Sequence, residues 1–406
     1  MNKILTLLVL ILCVNTVFSQ EIEITFPSGD LTLSGTLALP DGNGPFSVMI
    51  LVHGSGPNDR DQTLEIVGGN AACLYPGLLG DTLRTLKGIS DRLVNHGFAV
   101  LRYDKRSFSH GALLDPKTVS PFDFIRDVNS AVDYVKTRTE INPDCISLIG
   151  HSQGASLVPI VANQRTDIKS IICLGTPATR IDTLMAQQFR DLYIICLNDS
   201  VTGNAFYTQT LNDFVRIRNG TWNSNTPYLG AYATFWNDWM DIGEGSLSDF
   251  NKLNIPFLIL HGEEDFNIPL SDYFILQNQV TNSNAYFSLV PGINHNMTTS
   301  ISPLVSELVF SEMRDFLSRV PCVMVDIEDG IIKKSFEVIP KNGGFIITSE
   351  EPLGVIQLYG IGGRVCFETK TNRLQLDIST LGIPTGMYFI KVNTGDVIGV
   401  IKVFIH

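Results

Sequence analysis

Ile146-Ser147-Leu148-Ile149-Gly150-His151-Ser152-Gln153-Gly154-Ala155-Ser156-Leu157-Val158 is the stretch that decides the fold. Its first four residues form a short apolar run of strand character. Ala155–Val158 opens a helical pattern. Between them, Gly-His-Ser-Gln-Gly fits G-x-S-x-G, the nucleophile elbow, in which a strand turns sharply into a helix. Such a turn holds Ser152 in a strained backbone conformation and leaves no room for side chains at Gly150 and Gly154. The serine hydroxyl then stands clear at the carboxyl edge of a sheet. The bare pentapeptide recurs by chance, and the plainer reading is a strand-to-helix turn that happens to carry serine. The strand before it and the helix after it give the elbow its weight.

A serine nucleophile needs a base within hydrogen-bond reach, and the base needs an acid that fixes its tautomer. With an elbow serine the chain order is serine, acid, histidine. The chain has seven histidines, and only His261, His295 and His406 follow Ser152. His261 closes the apolar run Phe257–Leu260, and His406 is the last residue. His295 remains, in Pro291-Gly292-Ile293-Asn294-His295, just after the strand-like Ala285–Val290. The acid is expected in His261-Gly262-Glu263-Glu264-Asp265, with Asp265 favoured and Glu264 second. A developing oxyanion needs two backbone N–H donors. One is expected from Gln153, after the nucleophile. The other is expected from His53-Gly54-Ser55-Gly56-Pro57, following the strand Phe46–Val52, with Ser55 first and Gly54 second.

Strand-like and helix-like segments alternate from about residue 21 to 319. Glu21–Phe26 and Leu31–Leu39 read as a leading antiparallel pair. Phe46–Val52, Phe98–Tyr103, the elbow strand, Ile168–Leu174, Phe257–Leu260 and Ala285–Val290 read as buried strands. Leu83–Asn95 and Phe122–Thr137 carry helical spacing, the latter with Phe122, Ile125, Val128, Val132 and Val135 on one face. Short apolar strands separated by helices imply a mostly parallel sheet covered on both faces. Residues 178–255 break this rhythm with many aromatics, which predicts a helical cap whose aromatic rings form mainly its own core. A helix is expected over Val305–Val320, ending at Pro321. From about 335 to 406 short alternating strands and Gly-rich turns, among them Gly343-Gly344, Gly362-Gly363 and Gly395-Asp396, predict a small all-β sandwich.

Residues 1–19 read as a cleaved signal peptide: Lys3 leads an apolar run, Ile4–Val14, that is too short to span a bilayer. No other stretch is apolar and long enough for a transmembrane helix. The net charge of −12 argues against nucleic acid as a partner. Export permits disulfides. Without Cys13, six cysteines remain; Cys145 and Cys173 read as buried core residues, and one bridge of unassigned pairing is allowed. There is no zinc-like Cys/His spacing, no dinucleotide fingerprint and no P-loop, so no cofactor or metal is expected. Asp59-Arg60-Asp61 and Asp104-Lys105-Arg106 read as salt-bridged structural turns, with an Arg60 clamp for a substrate carboxylate as the alternative.

Three segments together resemble a known family: His53-Gly54-Ser55-Gly56-Pro57-Asn58-Asp59-Arg60-Asp61, Val100-Leu101-Arg102-Tyr103-Asp104-Lys105-Arg106 and Gly150-His151-Ser152-Gln153-Gly154. Residues 21–319 are similar to α/β-hydrolase esterases of the serine-aminopeptidase-like (S33-type) group. The resemblance implies a carboxylesterase for short acyl chains, working without a cofactor, with Asp265 and His295 at the family's acid and base positions. The chain departs from the pattern at Ser107-Phe108-Ser109, at Ala155 and in the Gly-rich stretch Val67–Gly80, all of which bear on the shape of the acyl pocket. Within 335–406, Gly354–Val365, Leu376–Leu381 and Pro384–Val392 resemble the C-terminal sorting domain of the type IX secretion system. That resemblance implies a Bacteroidetes-like source, export through the outer membrane, the secretion machinery as a partner, and a secreted or cell-surface location.

The expectation is therefore an α/β-hydrolase fold with a helical cap and a C-terminal β-sandwich, acting as a secreted serine esterase on a small ester. Two other readings stand beside it. One is a serine aminopeptidase or acyl-peptide hydrolase; holding a free amine would need carboxylates in the cap, for which Asp238, Asp241 and Glu244 are available. A non-catalytic surface binding protein would use the scaffold alone.

Overall fold

The computed structural model describes residues 20–320 and, after them, 336–341, 344–349, 352–360, 365–379, 383, 386–394 and 397–405. The expected signal peptide at 1–19 and the turns at Gly362-Gly363 and Gly395-Asp396 lie outside the described residues. The chain begins with β1 (Gln20–Ser28), β2 (Leu31–Leu39) and β3 (Phe46–Val52). A small excursion follows: β4 (Thr63–Glu65), α1 (Gly69–Leu74), a single 3₁₀ turn and β5 (Thr82–Arg84). Then come α2 (Thr85–Val94), β6 (Ala99–Tyr103), α3 (Arg106–Ser109), α4 (Pro121–Val135), β7 (Ile141–His151), α5 (Gln153–Gln164) and β8 (Ile168–Leu174). Three helices form the cap: α6 (Ile181–Leu197), α7 (Ser200–Arg218) and α8 (Ala233–Lys252). The chain returns through β9 (Phe257–Gly262), α9 (Leu270–Gln279), β10 (Ala285–Val290), the short pair β11 (Thr298–Thr299) and β12 (Ser302–Val305), and α10 (Glu307–Leu317).

Eight strands form one sheet in the order β1-β2-β6-β3-β7-β8-β9-β10. β2 is antiparallel to both neighbours, and every pairing from β6 to β10 is parallel. The apolar runs explain why the sheet is covered twice. Successive side chains of a strand point to opposite faces. On β3, Val48, Ile50 and Val52 enter one core with α4, α5 and the cap helix α8, whereas Met49 and Leu51 enter the other with α2 and α10. β8 and β9 divide in the same way, Cys173 and Ile259 to the first core, Leu174 and Leu260 to the second.

Several expectations shift. Phe122 is not on the buried face of α4; it is half exposed. It sits two residues before the buried Phe124, about 200° around the helix, and Phe124 takes the inward place against Phe235 of the cap. Ser120 starts α4 by accepting the Phe122 N–H, and its own N–H donates to Asp123. Leu83 belongs to β5, so that helix begins at Thr85. Val305 ends β12, and Ser306 caps α10 by accepting the Leu308 N–H. The stretch Val67–Gly80 holds α1, and Cys73 there is bridged to Cys196 of α6, with the Cα atoms 5.7 Å apart. Cys145 and Cys173 are buried in β7 and β8.

The C-terminal residues form two antiparallel sheets. One is β13 (Phe336–Lys341), β14 (Gly344–Ser349) and β17 (Gln375–Ser379). The other is β15 (Val355–Gly360), β16 (Val365–Lys370), β18 (Gly386–Thr394) and β19 (Val397–Ile405), in the order β16-β15-β18-β19. Phe345, Ile347 and Ile378 from the first share a core with Ile356, Leu358 and Ile390 from the second, as a sandwich requires. Among the described residues no helix is long and apolar enough to cross a membrane.

Candidate active site

The carboxyl ends of β3, β6, β7, β9 and β10 converge, the place where an open parallel sheet gathers its ligand chemistry. Ser152 lies between β7 and α5 with φ 54° and ψ −114°, a left-handed conformation that non-glycine residues rarely adopt. Its N–H donates to Leu174 O at 2.8 Å, which pins the turn to β8. The flanking glycines answer to crowding: a Cβ on Gly150 would stand 2.3 Å from Gly154 O, and one on Gly154 would stand 2.3 Å from Val52 O.

His295 follows β10 and Asp265 follows β9. Both are buried, and His295 Nδ1 lies 2.8 Å from Asp265 Oδ2. Asp265 Oδ1 accepts the N–H groups of Asn267 and Ile268, both at 2.9 Å. A carboxylate only accepts, so Nδ1 carries the proton and Nε2 keeps its lone pair. Burial acts to raise the Asp265 carboxyl, but the His295 and His261 rings and the Ile268 N–H outweigh it and hold it below the usual range. Glu263 and Glu264 are exposed. His261 is buried in β9 and faces the Ile268 carbonyl at 3.2 Å. The hydrogen bonds of the described residues do not include one from Ser152 Oγ to His295; such contacts often tighten only with substrate present.

The Gly54 N–H is occupied, donating to Gln62 Oε1 at 2.8 Å. The Ser55 N–H has no protein acceptor among the described residues, and Ser55 is exposed beside the serine. Gln153 is the first residue of α5, where N–H groups lack helical partners. Among the described residues neither the Ser55 nor the Gln153 N–H has a protein acceptor, and both residues line one cavity.

Sequence reasoning missed a relay beneath these groups. Because Gln62 Oε1 accepts from a backbone N–H, its Nε2 donates, and it reaches His151 Nδ1 at 2.7 Å. His151 Nε2 is then the protonated nitrogen and donates to His295 O at 2.7 Å. Burial, followed by the nearby His295 ring, pushes His151 down to about 3, so the ring stays neutral. The relay ties the Gly54 loop to the backbone of the histidine loop. Position 151 is the variable residue of the elbow, and no local pattern marks it.

The charged turns are mostly structural. Arg60 binds Asp104 through Nε and Nη2 at 3.1 and 2.8 Å, and donates from Nη1 to Thr36 at 2.7 Å and Glu23 at 2.5 Å. Arg106 binds the buried Asp127 at 2.8 and 2.5 Å. Lys105 differs from the structural turn expected of it. It is buried, its Nζ donates to Gly54 O at 2.7 Å and Gln153 Oε1 at 2.6 Å, and burial pushes it down to about 7.

A cavity of about 500 Å³ opens beside Ser55 and Gln153. Val119, Phe124, Phe235, Trp236 and Trp239 make its wall largely apolar, and Lys105 is part of it. None of its lining residues is an acid. The three cap carboxylates are engaged elsewhere: Asp238 accepts from Ser120 at 2.6 Å, Asp241 pairs with Arg218 at 2.6 Å, and Glu244 pairs with Arg180 at 2.9 Å. A smaller cavity of about 180 Å³ lies between α1 and α6, and Met185 borders both.

Residues 71–300 match the family model described as serine aminopeptidase, S33, and residues 339–406 match that of the secretion system C-terminal sorting domain. Esterase EstD of Thermotoga maritima is 29% identical over 278 residues, 67% of this chain and 60% of the relative. Cutinase est1 of Thermobifida alba is 30% identical over 110 residues, 26% of this chain and 34% of the cutinase. The chain thus spans less than two thirds of the length of these relatives. Among solved structures, Est1E from Butyrivibrio proteoclasticus aligns with a TM-score of 0.45 and 18% identity, over 73% of this chain and 99% of that one. The acylaminoacyl peptidase of Pyrococcus horikoshii aligns at 0.48 and 14%, over 74% and 42%. With the elbow in a mostly parallel sheet and the family model matched over more than half its length, this chain belongs to the serine aminopeptidase S33 family of α/β hydrolases.

Proposed function

We propose that the protein is a secreted serine carboxylesterase. Ser152 Oγ attacks the ester carbonyl while His295 Nε2 takes its proton, and the carbonyl oxygen becomes an oxyanion held by the Ser55 and Gln153 N–H groups. Collapse expels the alcohol, which receives that proton from His295, and leaves an acyl group on Ser152. Water then repeats the sequence: His295 takes its proton, hydroxide adds to the acyl carbon, and the acid departs as Ser152 recovers its proton. Asp265 holds the imidazole in the Nδ1–H tautomer and stabilises its cation.

The observation that carries an ester over a peptide with a free amino terminus is the acid-free cavity beside Ser55 and Gln153. An aminopeptidase must bind a free ammonium group. This wall offers a buried lysine instead, which gives an ammonium no acceptor. The name of the relative EstD supports the same reading. The apolar, aromatic lining suits an ester with an alkyl or aryl group, and the short acyl chains expected from the sequence fit within the cavity.

The proposed organisation is a signal peptide at 1–19, a catalytic unit at 20–320 with its cap at about 178–255, and a sorting module at 335–406. The match of 339–406 to a sorting domain supports recognition by the type IX secretion machinery and a secreted or surface location. The test compares p-nitrophenyl esters of increasing chain length with aminoacyl-arylamides on purified protein. Turnover of esters with little of the arylamides is expected; the reverse preference overturns the esterase reading. Failure of a fluorophosphonate to label Ser152 would favour a non-catalytic scaffold.

A further inference from the structure

We propose that Lys105 is a positioning residue for the oxyanion hole, one ammonium group holding the Gly54–Ser55 peptide and the Gln153 side chain together. The inference rests on the reading of Ser55 and Gln153 as the oxyanion donors. Lys105 Nζ donates to Gly54 O at 2.7 Å, and that carbonyl belongs to the same peptide group as the Ser55 N–H. A cation on the carbonyl side fixes the plane of the peptide and draws electron density from it, which strengthens the N–H as a donor. The same Nζ donates to Gln153 Oε1 at 2.6 Å, so the residue carrying the second donor is tethered to the first.

The surroundings of Lys105 favour a functional over a structural origin. It is 4% exposed, yet no carboxylate lies within 4.0 Å of it among the described residues. Its neighbour Arg106 reaches Asp127 instead, and Arg60 takes Asp104. The Lys105 ammonium also lies over the Phe124 ring, 4.5 Å from Nζ to the centroid. A buried cation without a counter-ion costs stability. At this site it has a use, because negative charge appears on the substrate oxygen as the tetrahedral intermediate forms. His53, on the loop after β3, is kept neutral chiefly by burial.

The test measures kcat, KM and thermal melting for Lys105→Met, Lys105→Arg and Ser152→Ala with a p-nitrophenyl ester, at about pH 6, where the lysine is charged. Lys105→Met is expected to lose about 10- to 100-fold in kcat, less than removal of a whole oxyanion donor, with KM within about threefold. Its melting temperature should change little, since loss of the unpaired buried charge offsets the donor removed from Gly54 O and Gln153 Oε1. Lys105→Arg, which keeps the cation, should retain more kcat than Lys105→Met. Wild-type kcat in Lys105→Met, alongside an inactive Ser152→Ala, overturns the role of Lys105 and leaves the esterase reading intact. A loss of kcat accompanied by a raised KM and a lowered melting temperature assigns Lys105 to the fold alone and also overturns it. So does Lys105→Arg no more active than Lys105→Met. Activity retained by Ser152→Ala overturns the parent reading instead.

Discussion

Gln62 Nε2 meets His151 Nδ1 at 2.7 Å inside the protein, and through this contact the loop after β3 is tied to the loop that carries His295. Gln62 has φ 52°, so the loop accepts a left-handed backbone to bring the amide there. Replacing it with leucine leaves the Gly54 N–H and His151 Nδ1 without partners. Each buried orphan costs about 1–3 kcal/mol. Gln62→Leu is therefore expected to lower the melting temperature and to reduce kcat more than it raises KM, since both loops of the site lose their tether. Steady-state kinetics beside a thermal melt checks this.

Two buried histidines weaken the fold toward acid pH. Burial is the main cause that pushes both His53 and His151 down to about 3, against 6.5 when exposed. Below pH 6.5 the unfolded chain binds protons that the folded chain refuses until about pH 3, so stability falls as pH falls through that window. Each ring contributes a slope of about 1.4 kcal/mol per pH unit, and neither contributes above about pH 7. Urea unfolding from pH 7.5 down to 4 should show this decline. His151→Gln should make it shallower.

Cys73 of α1 and Cys196 of α6 are 123 residues apart, and their bridge fastens the excursion after β3 to the first cap helix. A crosslink over so long a loop stabilises by about 2–4 kcal/mol. Thermal melts with and without reductant should differ accordingly, and the double variant Cys73→Ser/Cys196→Ser should melt like the reduced protein and ignore reductant.

The elbow was readable because its cause is local: a strand, a turn with no room for Cβ atoms, and a helix within about a dozen residues. The contact between Asp265 and His295 was foreseeable because each lies a few residues beyond an apolar strand, in the chain order the elbow demands. The parallel sheet was readable from strands with consecutive apolar residues, as Met49 and Ile50 on opposite faces of β3 illustrate. Other features depend on residues far apart in the chain. Gln62 and His151 are 89 positions apart, and Lys105 and Gly54 are 51. Neither contact leaves a local pattern. Phe122 was misplaced for a related reason. Helical spacing gives a face, but the packing of Phe124 against Phe235 in the cap decides which residue of the first turn it buries.

The most direct test of the central claim is the rate of p-nitrophenyl ester hydrolysis by Ser152→Ala against the wild type, each confirmed as folded by its melting curve. A loss of about four orders of magnitude or more in kcat, with the fold intact, is expected of the nucleophile. Turnover within tenfold of the wild type would contradict the assignment of Ser152, and with it the roles of Asp265 and His295.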